Sequence, residues 1–416
     1  MKIPAVICHF LLFTFITPVL HGQSFQKIDS IINGEIAKHT IAGGNAVIIH
    51  KGKAVYSRSY GESDITNHIP MRQDAIFRIA SMTKAIVSVG VLQLASQNKI
   101  SLDDPIEKYI PAFASQQVAV ISGDSFLTVN RNRSVTIRDL LSHQSGISSA
   151  DEFPAFRKLF KQYGLDQSLS MGFANLKDEV DRIAAMPLVH QPGERFSYGL
   201  STNVLGRLIE IVSGMTLKDY LTKNIFRPLK MKDTYFYLPE NKRSRLVKVY
   251  VSSKAAGDTE MKLTELDPVQ YPVNYPLQKD HGYYSAIGGL VSTTGDYAKF
   301  LLSLLHGGRK AILSQAFRDS LTTNQLGNKT FIFGGVKSLN TFGLGVGLTS
   351  KPGMVINNAS EGSFFWAGAF NTAYMVDPKR DLITLFYFQK APFVFGPVLS
   401  KLEKTAIGII DGLQIK

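Results

Sequence analysis

Cysteine is almost missing from this chain. Among 416 residues the only thiol is Cys8, close to the N-terminus. A mature chain without its first residues would have no thiol and no disulfide, which excludes cysteine nucleophiles and thiolate metal sites. The nine histidines show no ligand spacing and no H-E-x-x-H occurs, so no metal is expected. A G-x-S-x-G elbow is absent, and with it the α/β-hydrolase serine. No P-loop is present. Gly343-Leu-Gly345-Val-Gly347 falls short of the dinucleotide fingerprint, so no cofactor is expected. Low-complexity tracts and internal repeats are also missing, which argues against a solenoid.

Acidic residues are in deficit, with 33 Asp and Glu against 46 Lys and Arg, a net charge of +13. Such a surface is drawn to anionic surfaces or polymers. The basic residues are dispersed rather than clustered, so no nucleic acid partner is expected. Long apolar runs are confined to residues 3–20, behind Lys2 and broken by Pro4, His9 and Pro18. Residues 1–22 read as a cleaved signal peptide; the rival reading is a retained anchor, for which the run is short and proline-interrupted. Export to the periplasm or the medium follows as an expectation.

The whole chain is 44% hydrophobic and 19% charged, ordinary for a globular protein. Apolar residues at helical spacing from Phe25 to Ile36 predict an amphipathic helix over 24–41. Residues 45–50 and 54–60 flank Lys51-Gly52-Lys53 as strand, turn and strand. Residues 84–97 are nearly continuously apolar and too long for a strand, so they read as a buried helix. Helices are also expected over 136–143, 201–213 and 292–305, and residues 250–283 read as a long loop or lid. Strand character returns at 343–348, 371–377 and 382–388, followed by a last helix. Strands at both ends and helices between them imply an α+β fold. An antiparallel sheet, from about 23–80 and 285–416, is flanked by helices, with a helical part inserted over about 81–284. A cleft between these parts is the natural place for a site.

One chemical signal stands out. Ser81-Met-Thr-Lys84 has S-x-x-K spacing at the start of the buried helix, where backbone N–H groups are free and the helix dipole is positive. Ser96-Gln-Asn-Lys99 has the same spacing, but it lies at a polar helix end and reads as solvated surface. A serine hydroxyl needs a base to become a nucleophile. A lysine in apolar surroundings loses preference for its charged form and can serve as that base. By themselves these four residues leave a second reading open, in which Ser81 caps the helix and Lys84 reaches out to water. Tyr198 lies on a turn-rich segment ahead of the 201–213 helix and could aim its hydroxyl into a cleft, or simply pack. Trp366-Ala-Gly368-Ala369, with the only tryptophan, precedes strand character and suits close backbone approach to a ligand.

Taken together and in this order, these segments resemble the serine β-lactamase and penicillin-binding-protein superfamily. The likeness is greatest to class C β-lactamases and the related family VIII carboxylesterases. FRIASMTK (77–84), ISLDDP (100–105), TIRDLLSHQSG (136–146), YGLSTNVLG (198–206), GGLVS (288–292) and WAG (366–368) carry it. The resemblance implies a β-lactamase-like fold and an acyl-enzyme on Ser81. Lys84 and Tyr198 would share the general-base work, and the N–H groups of Ser81 and Ala369 would form the oxyanion hole. Leu200, Trp366 and Gly368 would contact substrate. Leu200 replaces the asparagine that ends the tyrosine motif of such lactamases, and Trp366 replaces the lysine of their third motif. Both lost groups serve charged, amide-rich ligands, and a charge bound without a partner costs several kcal/mol. An aromatic wall suits ester groups better. The expected activity is therefore hydrolysis of small-molecule carboxylic esters by an exported serine hydrolase. A β-lactamase or D,D-peptidase and a non-catalytic scaffold are the alternatives.

Overall fold

The computed structural model describes residues 19–122, 125–150, 156–166, 172–254, 260–266, 274–308, 311–333, 335–394 and 396–414. The core of the molecule is an eight-stranded sheet in which every neighbouring pair is antiparallel. Three strands come from the N-terminal part: β1 (Gly43–His50), β2 (Lys53–Asp64) and β3 (Ile69–Pro70). Five come from the C-terminal part: β4 (Thr341–Phe342), β5 (Gly347–Leu348), β6 (Phe364–Gly368), β7 (Thr372–Asp377) and β8 (Leu382–Phe388). The order is β4-β5-β6-β7-β8-β1-β2-β3, so the two ends of the chain meet where β1 pairs with β8, with Val47 opposite Leu385.

Every residue of β7 and β8 is buried, and so are the first seven residues of β1. Such strands need cover on both faces. On one face lie α1 (Val19–Ala37) and the final helix (Gly396–Gln414). Phe25, Ile28, Leu402 and Ile410 meet Ile48, Phe386 and Phe388 there. On the other lie α2 (Thr83–Ser96), α3 (Ser201–Ser213), α4 (Thr294–His306) and the main core, which includes Val47, Leu385 and Tyr387. Thirteen of the fourteen residues of α2 are buried, as its unbroken apolar run requires. The result is the expected α+β, β-lactamase-like fold.

Element boundaries follow the sequence reading with local differences. The helix expected over 136–143 spans Ile137–Leu141, with a capping box between Thr136 and Asp139. The helix expected from Ser292 starts at Thr294, because the Thr293 side chain accepts from the Asp296 N–H. Within 343–348 only Gly347 and Leu348 pair in the sheet. Gly345 instead turns at φ +90° against α2, where a Cβ would stand 2.0 Å from Ser88 Oγ. Within 250–283, Tyr250–Ser253 and Lys262–Glu265 form a ribbon, with Tyr250–Val251 pairing in parallel with Lys390–Ala391. Residues 255–259 and 267–273 of that span lie outside the described residues, as does most of the expected leader, 1–22. Among the described residues no helix is long and apolar enough to cross a membrane.

The final helix, α5 (Gly396–Gln414), carries a buried carboxyl, Glu403, which accepts from Asn357 Nδ2 at 2.7 Å. Burial raises its pKa to about 7, against the opposing effect of the Asn357 bond. In the unfolded chain it titrates near 4.3. Between these values the folded state holds a proton that the unfolded state has lost, so stability falls as pH rises and stays low above about 7. Glu403→Gln removes that loss. It is expected to stabilise by about 3 kcal/mol at pH 8 and by little near pH 4, read from thermal melts at the two pH values.

Candidate active site

Ser81 lies on a single 3-10 turn, Ala80–Met82, that leads into α2. Neither this turn nor α2 has a side-chain cap, so Ser81 does not serve as one. Ala80, just before it, sits at φ +41°, a conformation that costs an alanine energy and has to be held from outside. Four contacts hold it. Ile79 N–H donates to Leu290 O at 3.1 Å, and Leu290 N–H donates to Thr83 Oγ1 at 3.2 Å. Tyr297 OH donates to Met82 O at 2.9 Å. Gly368 of β6 abuts Ile79, and a Cβ there would come within 2.4 Å of the Ile79 carbonyl. Only glycine lets the strand approach this closely.

Lys84 falls one turn after Ser81 and does not reach out to water; its side chain is buried. Its Nζ lies 3.0 Å from Ser81 Oγ and 2.7 Å from the Ile287 carbonyl oxygen. It also stands 4.6 Å from the centre of the Tyr198 ring. Burial lowers its pKa to about 7. A neutral amine fits these surroundings. One N–H donates to the Ile287 carbonyl, and the lone pair is left to accept the Ser81 proton.

Tyr198 joins the same group. Trp366 Nε1 donates to its hydroxyl at 3.3 Å, and the two rings are tilted 5.4 Å apart. His143 also packs against the Tyr198 ring, at 4.8 Å. Burial first, and the nearby Lys84 second, depress the His143 pKa to about 3. A neutral imidazole spares Lys84 a second buried cation.

These residues line a cavity of about 790 Å³. Ser81, Lys84 and Tyr198 form its floor, and Leu200, Trp366, Gly368 and Ala369 are in its wall. Every residue singled out from the sequence therefore meets at one place, including Leu200, although Leu200 is itself only 2% exposed. Ser96 and Lys99 stay on the surface, as expected. Trp366 heads an aromatic wall with Phe331 and Phe333, its ring 6.4 Å and 5.7 Å from theirs. Among the described residues, Lys337, which is exposed, is the one charged residue besides Lys84 that lines the cavity.

Some of the machinery was not singled out from the sequence. The carbonyl that anchors Lys84 belongs to Ile287, and its loop is held by Asn203. Asn203 Oδ1 accepts from Ala286 N–H at 2.8 Å and Ile287 N–H at 3.0 Å. Its Nδ2 donates to the buried Glu179 carboxylate at 2.8 Å, which also accepts from Tyr283 OH at 2.7 Å. A fully buried asparagine within the apolar stripe of α3 was the available signal, since a buried amide needs partners.

A serine held against a buried, near-neutral lysine at a helix start is how a protein without a histidine base activates a hydroxyl. With the fold around it, this defines a serine hydrolase of the acyl-transferring kind. The chain belongs to the Beta-lactamase family, whose profile matches residues 28–403. Protein Rv1367c of Mycobacterium tuberculosis is 28% identical over 371 residues, covering 85% of this chain and 86% of its own. Esterase EstB of Burkholderia gladioli is 28% identical over 217 residues, 52% of this chain and 53% of EstB. Among solved structures, EstCE1, described as a hydrolase with promiscuous acyltransferase activity, matches with a TM-score of 0.77 at 20% identity. The match covers 94% of this chain and 100% of EstCE1.

Proposed function

We propose that the protein is an exported esterase that hydrolyses small-molecule carboxylic esters through an acyl-enzyme on Ser81. The observation that carries this reading is the Ser81–Lys84 pair at the floor of a cavity walled by Trp366 and phenylalanines. Lys84 Nζ takes the Ser81 hydroxyl proton as Oγ bonds to the ester carbonyl carbon. The N–H groups of Ser81 and Ala369 receive the oxyanion. The carbon–oxygen bond to the alcohol breaks, and the alcohol leaves with the proton returned through Lys84 and Tyr198. Water then attacks the acyl-enzyme, Lys84 and Tyr198 pass its proton on to Ser81 Oγ as the bond between Oγ and the acyl carbon breaks, and the carboxylic acid leaves with Ser81 restored. The relative described as an esterase supports the substrate class, and the apolar run over 3–20 behind Lys2 supports export.

The test is to compare p-nitrophenyl butyrate with nitrocefin. A wall with Trp366 in place of a cation and Leu200 in place of an amide leaves the lactam carboxylate and amide unpartnered. The expected kcat/KM favours the ester by about 10³-fold or more. Equal turnover of the two would replace the ester reading with a lactamase or peptidase one.

A further inference from the structure

Fourteen large hydrophobic side chains are exposed among the described residues, and nine of them fall in three short segments, 332–339, 354–356 and 393–394. All three segments lie at the mouth of the active-site cavity, which Phe333, Ile356 and Phe393 line. Each has an apolar tip: Val336 is 70% exposed, Val355 69% and Val394 59%. Val355 and Val394 do not line the cavity, so a substrate inside it does not explain them. In the first segment Ile332–Phe333 pairs, among the described residues, only with Val336–Lys337, apart from the main sheet. Contiguous exposed apolar surface of this kind marks an interaction site.

The stretch of chain that carries the first two tips has charge of one sign. From Ser320 to Ser360 the chain contains no Asp or Glu, while Lys329, Lys337 and Lys351 are all exposed. None of the three is in an ion pair among the described residues. Apolar tips among unpaired lysines match a bilayer surface with anionic headgroups, where the tips enter the acyl boundary and the lysines stay at the phosphates. We infer that the cavity mouth docks on an anionic phospholipid surface, through the tips at Val336, Val355 and Val394 and the exposed lysines of the stretch that carries the first two. The ester reading is not required for this, and Ser81→Ala is expected to dock as the wild type does.

Trp366 provides the readout. It is the only tryptophan and stands one ring behind the rim, 5.7 Å from Phe333. The experiment mixes the full chain with phosphatidylcholine–phosphatidylglycerol vesicles carrying doxyl-labelled lipid and follows Trp366 fluorescence. Attachment through the N-terminal segment alone would leave Trp366 unquenched. The wild type is expected to be quenched, less so in high salt. Val355→Glu/Val394→Glu is expected to need at least about ten-fold more lipid for the same quenching. Both changes lie at exposed positions outside the cavity, so the variant should keep the wild-type melting temperature and its turnover of soluble ester. No quenching of the wild type, equal quenching of the variant, or equal quenching on pure phosphatidylcholine would each overturn the inference. So would loss of self-association in the variant without any lipid effect, which would assign the face to a second copy.

Discussion

Ser81→Ala is expected to lower kcat/KM for p-nitrophenyl butyrate by about 10⁴-fold or more, to the level left by binding and the oxyanion donors alone. That factor is about 5.5 kcal/mol of transition-state stabilisation. It is large because the acyl-enzyme route ends with the hydroxyl: Lys84 then has no proton to take, and water has no acyl group to release. The fold should not notice the change. Ser81 is partly exposed and caps neither helix, and the strained Ala80 turn is held through Ile79, Met82 and Thr83. Melting temperatures of the two proteins should therefore agree. Labelling by a fluorophosphonate probe should disappear with Ser81 and map to it in the wild type. Equal rates in both proteins would remove Ser81 from the mechanism. Labelling at another serine would move the nucleophile there.

The site was legible where its chemistry is local in sequence. Ser81 and Lys84 are one helical turn apart, and the apolar run behind them announces that Lys84 is buried. Tyr198 and Trp366 became legible only as parts of an ordered set, since each alone reads as a packing aromatic. The Ile287 carbonyl was invisible because its role depends on a loop 203 residues from Lys84, placed by Asn203. Likewise, the wall of Phe331 and Phe333 comes from a hairpin of two-residue strands, too short for any periodicity to show. The 250–283 segment read as a loop because its ribbon strands are four residues each, and their tie to Lys390–Ala391 is distant in the chain and only two residues long. Residues 343–346 carry a strand-like apolar pattern, but Gly345 turns there to let β5 pass α2, and packing overrides the pattern.

Lys84→Met is expected to be inactive and more stable, a combination that separates a catalytic lysine from a structural one. In the folded protein burial lowers the Lys84 pKa to about 7, whereas the unfolded chain keeps it near 10.4. Below pH 7 both states are protonated and the folded state bears the full cost of a buried cation. From pH 7 to about 10 the unfolded state holds the extra proton, so stability rises with pH across that window. Methionine fills the space of the lysine stem without this cost. It leaves the Ile287 carbonyl without its donor, which costs about 1–3 kcal/mol, against a relief of about 4–5 kcal/mol from the shift. The net expectation is a gain on the order of 2 kcal/mol at pH 6 that shrinks as pH rises and turns into a small loss by about pH 10, measured by denaturant unfolding. Activity goes the other way. Without the base, kcat/KM should fall by about 10³-fold or more. The wild-type profile should rise ten-fold per pH unit up to a bend near pH 7, because only the neutral amine can take the Ser81 proton. A Lys84→Met destabilised at pH 6, or a wild-type rate flat from pH 5 to 9, would return Lys84 to the core and leave Tyr198 as the base.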